Sequence, residues 1–407
     1  MKPSVRIMAC LLVAALLVSI AGGCSPTGNP KPSVTPGSQL ASVDSKGVEA
    51  ALTGLVEAVR QGDCSAYLQH VAEGSEHFYQ EQAHWCASTR DHPLSSFDLQ
   101  VSDLHPSGAD RVVGQLTKTW QPVERPVTQT VTYEAAFVLD GAGHYRYAGP
   151  NWVTTENDRL RLYSFPAQAQ LAKDLLAEVT PVWQALAGEF GFTADGPVPV
   201  ELYPDEQLLT SAVGDFIPLA VGGYTAPGEG IKVVTTVLQG APVGGEAKRV
   251  DKSIEDLRGV VAHELGHYLL HQMAGGAAAY KAGGYAQQLP LWLDEGMAEA
   301  LSAPYKAATD ALRRQELAQL VADGEFAPLS RLSDPATMAP EDSWKVFAEG
   351  YGMVTYIAER LGQERRDAWV RAVASGRDVE TAAAAAEQLG VSLSQLQQDW
   401  RSSLEQS

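Results

Sequence analysis

At 407 residues, 45% of them hydrophobic and 19% charged, the chain is long enough for two or three domains and has the balance of an ordinary globular protein. A formal net charge of −19 argues against a nucleic-acid binder, because phosphates demand a surplus of Lys and Arg. It fits a soluble, self-repelling surface and leaves the substrate open.

The N-terminus reads as an export signal. Lys2 and Arg6 form a positive start, Ile7 to Ile20 (IMACLLVAALLVSI) is apolar throughout, and small residues follow in AGGC up to Cys24. The apolar run is short for a bilayer-spanning helix and suits a signal h-region. AGGC resembles the lipobox of bacterial lipoproteins, with Ala21 where Leu is usual. That resemblance implies removal of residues 1–23 and lipidation of Cys24, which becomes a membrane anchor. Plain secretion and a retained anchor are the alternatives, and all three place the body outside the cytoplasm. Residues 24–45, rich in Pro, Ser, Gly and Thr, cannot bury a core and read as a tether.

Residues 46–155 read as a small α+β domain. Gly47 to about Val71 is amphipathic, with Val48, Leu52, Leu55 and Val59 at helical spacing. With Cys10 in the signal and Cys24 at its end, Cys64 and Cys86 remain in the folded part and read as one disulfide of an exported domain. His70, His77 and His84 recur every seven residues, but Gly74 interrupts the stretch and that spacing exceeds normal ligand reach. They read as surface histidines and not as a metal site. Strands follow. Phe97, Leu99 and Val101 alternate, Val112 to Trp120 is a further candidate, and Thr128 to Asp140 puts Val131, Tyr133, Ala135, Phe137 and Leu139 on one face. Asp140-Gly141 marks a turn, and His144 to Ala148 returns. Helices followed by a meander of long strands resemble the nuclear transport factor two-like fold, a curved sheet wrapped on helices.

From Pro166 the pattern changes to helices with short strands. Ala167 to Phe190 is a long helix candidate and Pro199 to Tyr203 a buried strand. Gly222 to Thr236 (GGYTAPGEGIKVVTT) is an extended pair or edge strand around a Pro-Gly turn. Ser253 to Met273 is one amphipathic helix, N-capped by Ser253 with Asp256 three residues on. After Pro290 the chain reads as almost entirely helical. The whole is an α+β protein: a mixed α/β lobe and a helical C-terminal lobe, preceded by the smaller curved-sheet domain.

The helix from Ser253 carries VVAHELGHYLLH. Positions i and i+4 point the same way, so His263 and His267 can bind one metal, with Glu264 beside it over a bound water. A zinc site that does chemistry takes a third protein ligand and keeps one open position. A third His six residues beyond the second is absent, since that position is Met273. His271 lies a turn too far along the axis to share the metal with His263 and reads as a surface residue. PLWLDEGMAEA, from Pro290 to Ala300, offers Glu295 as the ligand. Glu299, one turn later on the same face, can accept the free N–H of a ligand histidine. The flanking Leu291, Trp292, Leu293, Met297 and Leu301 mark a largely buried helix, not a solvated one.

VVAHELGHYLL followed by LWLDEGMAEAL resembles the gluzincin metallopeptidases, specifically the bacterial peptidase MA-like group. The resemblance covers residues 160–407 and the zincin-like lobe. It extends to EGYGMVTYIAERLG, Glu349 to Gly362, and to the closing run that ends at Trp400. It implies one Zn2+ held by His263, His267 and Glu295, with Glu264 as general base. It also implies Tyr351 as a donor to the oxyanion and hydrolysis of peptide bonds by a zinc-activated water. The interval between His267 and Glu295 is longer than in the aminopeptidase branch. It contains MAGGAAAYKAGGYAQQLP, read as a flexible loop over the site, and no GxMEN-type amine-binding motif occurs. The rival reading is a non-catalytic exported binding lipoprotein, with a structural metal and the curved sheet as a cup for a ligand. The intact Glu264 argues against it.

Overall fold

A computed structural model describes residues 44–405 apart from 125–126, 214–221, 240–247, 277–288, 307–308, 335–337 and 385–388. The signal, Cys24 and nearly all of the tether lie outside the described residues, as does most of the Gly/Ala-rich stretch after Met273. Among the described residues no helix is long and apolar enough to cross a membrane.

Helix α1 (Ser45–Gln61) buries Val48, Ala51, Leu52, Leu55 and Ala58, a stripe at three- and four-residue spacing. The expected single helix to Val71 is two. Gly62 closes α1, and the Asp63 carboxylate accepts the Ala66 N–H to cap α2 (Cys64–Leu68). A helix breaker followed by a good N-cap residue restarts the helix in a new direction. Helix α3 (Glu76–Asp91) begins after Gly74, and the disulfide Cys64–Cys86 joins α2 to α3. Strands β1 (Leu94–Pro106), β2 (Arg111–Pro122), β3 (Gln129–Leu139) and β4 (Tyr145–Pro150) form an antiparallel meander in chain order. Val131, Tyr133, Ala135 and Phe137 alternate onto the buried face, whereas Leu139, at the strand end, is exposed.

The second lobe has a five-stranded sheet. Its strands are β5 (Val153–Glu156), β6 (Leu160–Ser164), β7 (Val198–Tyr203), β8 (Gly223–Tyr224) and β9 (Ile231–Val234), in the order β5-β6-β7-β9-β8. β6, β7 and β9 run parallel, with α4 (Ala169–Phe190) as the crossover between the first two. β8 lies antiparallel at the edge, and the chain turns back through Pro227-Gly228. After α5 (Glu206–Val213) and the hairpin β10 (Thr236–Gln239)–β11 (Lys248–Asp251), the chain enters α6 (Ile254–Met273). Ser253 and Asp256 cap α6 reciprocally, as their spacing predicts. The remainder is helical: α7 (Leu291–Ser302), α8 (Thr309–Asp323), α9 (Ser343–Leu361), α10 (Gln363–Ala374), α11 (Val379–Ala384) and α12 (Leu393–Leu404). The class is α+β, as read.

Two contacts set the frame of the site. Gly266 of α6 packs on Ala298 of α7, and Gly350 of α9 meets Trp292 and Gly296 of α7 so closely that a Cβ on Gly350 would lie 2.2 Å from the Trp292 carbonyl oxygen. The two lobes also interlock. Tyr203, Leu208, Leu209 and Val234 lie in one hydrophobic cluster with Val48, Leu55, Trp85, Tyr133 and Phe137. The four-stranded sheet and its helices are thus packed in part against the second lobe. His77 and His84 are not surface histidines. His84 is buried, and the two bond Glu201 and Glu229 of the second lobe.

Candidate metal centre

Helix α6 presents His263 and His267 one turn apart, with their Nε2 atoms 3.0 Å from each other. Helix α7 brings Glu295 to the same point, with Oε2 3.3 Å from each of those nitrogens. All three ligand atoms therefore converge within the span of a single ion, as the sequence spacing requires. The Glu295 Oε2 atom is buried yet makes no hydrogen bond of acceptable geometry. An acceptor left in that state costs free energy unless a cation completes it. The donor set, two imidazoles and a carboxylate, suits zinc.

The electrostatics carry the same demand. Burial would raise the Glu295 carboxyl, but His267 and His263 overrule it and hold it at about 2. Burial would lower His267, yet Asp294 and Glu295 pull it well above the ordinary histidine value. Three carboxylates, Asp294, Glu295 and Glu299, surround two imidazoles, and a divalent cation supplies the positive charge this arrangement draws in. The site is open on one side: the His263 and Glu295 side chains remain 13% and 15% exposed.

The support behind the ligands departs from expectation. Glu299 was expected to accept the free N–H of a ligand histidine; its Oε1 stands 3.6 Å from His263 Nδ1, beyond hydrogen-bond length. Arg313 Nη2, 3.2 Å away, and Lys306, 3.9 Å away, share that same oxygen. Asp294 comes nearer to a ligand imidazole, with its Oδ1 3.1 Å from His267 Nδ1. His271, expected at the surface, is buried, with Nε2 3.2 Å from Asp294 Oδ2. The reason is rotational: α6 packs directly on α7, so a histidine one turn beyond the ligand pair still faces α7. His267, His271 and Asp294 also stand close enough to hold an ion. They are sealed from solvent and share His267 with the open site, which makes them its support.

Glu264, the expected base, is buried beneath the edge strand. Thr225 Oγ1 donates to its Oε2 over 2.8 Å, and a Cβ on Gly223 would fall 2.6 Å from its Oε1. Burial raises its carboxyl above the ordinary value, while His263 and His267 draw it back down. Neither Thr225 nor Asp294 was assigned a role from sequence. Asp294 had a signal, standing beside Glu295 in LDEG, whereas Thr225 is one hydroxyl in an unmotivated loop. The Tyr351 hydroxyl donates to Asp310 over 2.8 Å, and burial followed by that bond pushes it up to about 12. The oxyanion role expected of Tyr351 requires this bond to exchange.

Residues 248–406 match the family model described as Peptidase MA superfamily. No curated protein matches the chain significantly. Among solved structures, the chain is similar to the M1 zinc metallopeptidase from Deinococcus radiodurans, with 16% identity over 75% of this chain and 63% of that one, at a TM-score of 0.39. A mutant of the same protein gives 17% identity, 76% and 65% coverage and a TM-score of 0.40. A two-domain M1 zinc metallopeptidase mutant bound to L-tryptophan gives 14%, 75%, 60% and 0.37. The chain thus spans less than two thirds of the length of these structures.

Proposed function

We propose that this chain, peptidase MA-like over residues 248–406, is a zinc metallopeptidase that hydrolyses peptide bonds outside the cytoplasm, tethered to the membrane through a lipid on Cys24. The observation that carries the reading is the convergence of His263, His267 and Glu295 on one open point, with Glu264 held beside them by Thr225. Zinc bound there would act as a Lewis acid on the scissile carbonyl and lower the pKa of a water toward about 7. Asp294 orients His267, and His271 orients Asp294. Glu264 takes a proton from the attacking water and delivers it to the leaving amine, so that one side chain serves as base and then acid. Thr225 and the bare backbone at Gly223 fix the carboxylate for that exchange. The export signal and the disulfide Cys64–Cys86 support the extracytoplasmic placement.

The test is a peptide library read by mass spectrometry, with wild type and Glu264→Gln compared at equal zinc content. Glu264→Gln should bind zinc as wild type does and lose on the order of 10²–10⁴ in turnover. Equal cleavage by the two proteins would remove Glu264 as the base. Stoichiometric zinc with no cleavage by either would favour the binding-lipoprotein reading.

A further inference from the structure

Among the described residues outside the metal centre, a cluster of buried ionisable groups lies where α3 of the first lobe meets β7 and β9 of the second. Helix α3 places His77, Glu81 and His84 on one face, at positions i, i+4 and i+7. His84 Nδ1 bonds Glu229 Oε1. Glu229 Oε2 accepts from Lys232 Nζ at 2.5 Å, and Glu81 Oε2 lies 3.2 Å from the same ammonium. His77 Nε2 stands 3.2 Å from Glu201 Oε1, whose other oxygen accepts the Tyr203 hydroxyl. Glu81, Glu201, Glu229 and Lys232 are each no more than 3% exposed.

Burying this many charges is a poor way to gain stability, since desolvation offsets most of the attraction. What such a network does well is hold one arrangement against others. The segment it holds is the β8–β9 hairpin. Glu229 sits in the connection and Lys232 on β9, in register opposite Tyr224. The other side of the hairpin carries Gly223 and Thr225, which embrace Glu264. Only three residues separate Thr225 from Glu229. The path from α3 to the base is therefore continuous: His84 to Glu229, the hairpin backbone, Thr225, then Glu264.

We propose that the first lobe is a working part of the peptidase: α3, through His84 and Glu81, clamps the β8–β9 hairpin so that Thr225 holds Glu264, which makes His84 a positioning residue. The proposal rests on the reading of Glu264 as the base. His84→Asn keeps a donor near the Nδ1 position, and His84→Ala removes it.

The experiment uses the full protein as wild type, His84→Ala and His84→Asn. Amide hydrogen exchange by mass spectrometry is followed in peptides covering 222–234 and 254–273, beside bound zinc, kcat and KM. In His84→Ala the 222–234 amides should exchange about tenfold faster, the change expected from losing one hydrogen bond to a charged group. Helix α6 and the zinc content should be unchanged. kcat should fall by more than KM rises, and His84→Asn should recover most of both changes. Should His84→Ala fail to fold, Glu229→Gln loosens the clamp from the hairpin side and must give the same pattern. Unchanged exchange at 222–234, acceleration spread equally over 254–273, or no recovery by Asn would each overturn the proposal. A wild type that cleaves nothing would overturn the peptidase reading and with it the catalytic purpose of the clamp. The exchange data would still decide whether α3 holds the hairpin.

Discussion

The candidate metal ligands are legible in the sequence because two of them and Glu264, the proposed base, are local to one helix, where i and i+4 suffice to bring them together. Glu295 is legible because α7 is too apolar to be a solvated helix, so its carboxylates need a reason to be there. What surrounds the ligands is less readable. Asp294 stands next to Glu295, yet His267 is on another helix, and only the α6–α7 packing shows that Asp294 comes nearer to a ligand histidine's Nδ1 (3.1 Å) than Glu299 does (3.6 Å). His271 was misread for the same reason, since its burial depends on a neighbour the sequence does not name. The structure makes Asp294 the residue to test. Asp294→Asn keeps size and shape but trades the ionised acceptor for a neutral amide, which weakens both the orientation and the donor strength of His267. Zinc affinity should fall by about 10- to 100-fold, measured by competition with a chromophoric chelator. Affinity equal to wild type would show that Asp294 does not orient the ligand.

Elements were read well where their signal is internal. The capping box at Ser253 and the period-two alternation of β3 each define a unit without outside help. The parallel set β6–β7–β9 was not legible, because a short apolar strand such as Val198–Tyr203 says that it is buried but not beside what. The restart at Gly62-Asp63 has a local signal, a helix breaker followed by an N-cap residue, which the continuous hydrophobic stripe masks. Two predictions belong to this scale. Gly350 lets α9 lie on α7, and the added carbon of Gly350→Ala would stand 2.2 Å from a backbone oxygen that cannot rotate away. Overpacking of this kind costs about 1–3 kcal/mol, and separating the two helices also moves Glu295. Thermal denaturation should show a lower Tm, together with weaker zinc binding; an unchanged Tm would mean the crossing has slack. Further along the chain, the disulfide closes a sequence separation of 22 residues between α2 and α3. Replacing Cys64 and Cys86 by Ser should cost about 3 kcal/mol in denaturant unfolding, most of it through the unfolded chain.

At the scale of the whole molecule, the surplus of acid is solvated at the surface, but some of it is driven inside. Glu349 is the clearest case away from the metal centre. Its side chain is fully buried in the helical lobe, where Oε1 accepts the Ala327 N–H over 2.8 Å and Oε2 lies 3.6 Å from Arg401. Burial raises the carboxyl, and the Ala327 amide and Arg401 only partly counter it, leaving it at about 7. A carboxyl near 4.3 when unfolded and about 7 when folded binds its proton more tightly in the native state. Its stabilising contribution is thus complete below about pH 4.3 and is lost as the pH rises toward 7. A displacement of that size corresponds to about 4 kcal/mol. The direction is opposite to that of a salt-bridged acid, whose contribution grows as the pH rises from its depressed folded value to about 4.3 and is complete above it. Glu349→Gln keeps the acceptor for Ala327 and removes the proton. In the variant, this part of the pH dependence should vanish: its unfolding free energy should exceed that of wild type at pH 8 and approach or fall below it at pH 4.5. Urea titrations of both proteins at those two pH values measure the difference directly. Parallel pH profiles would mean that Arg401 moves in to hold Glu349 ionised, so that its burial carries no penalty at neutral pH.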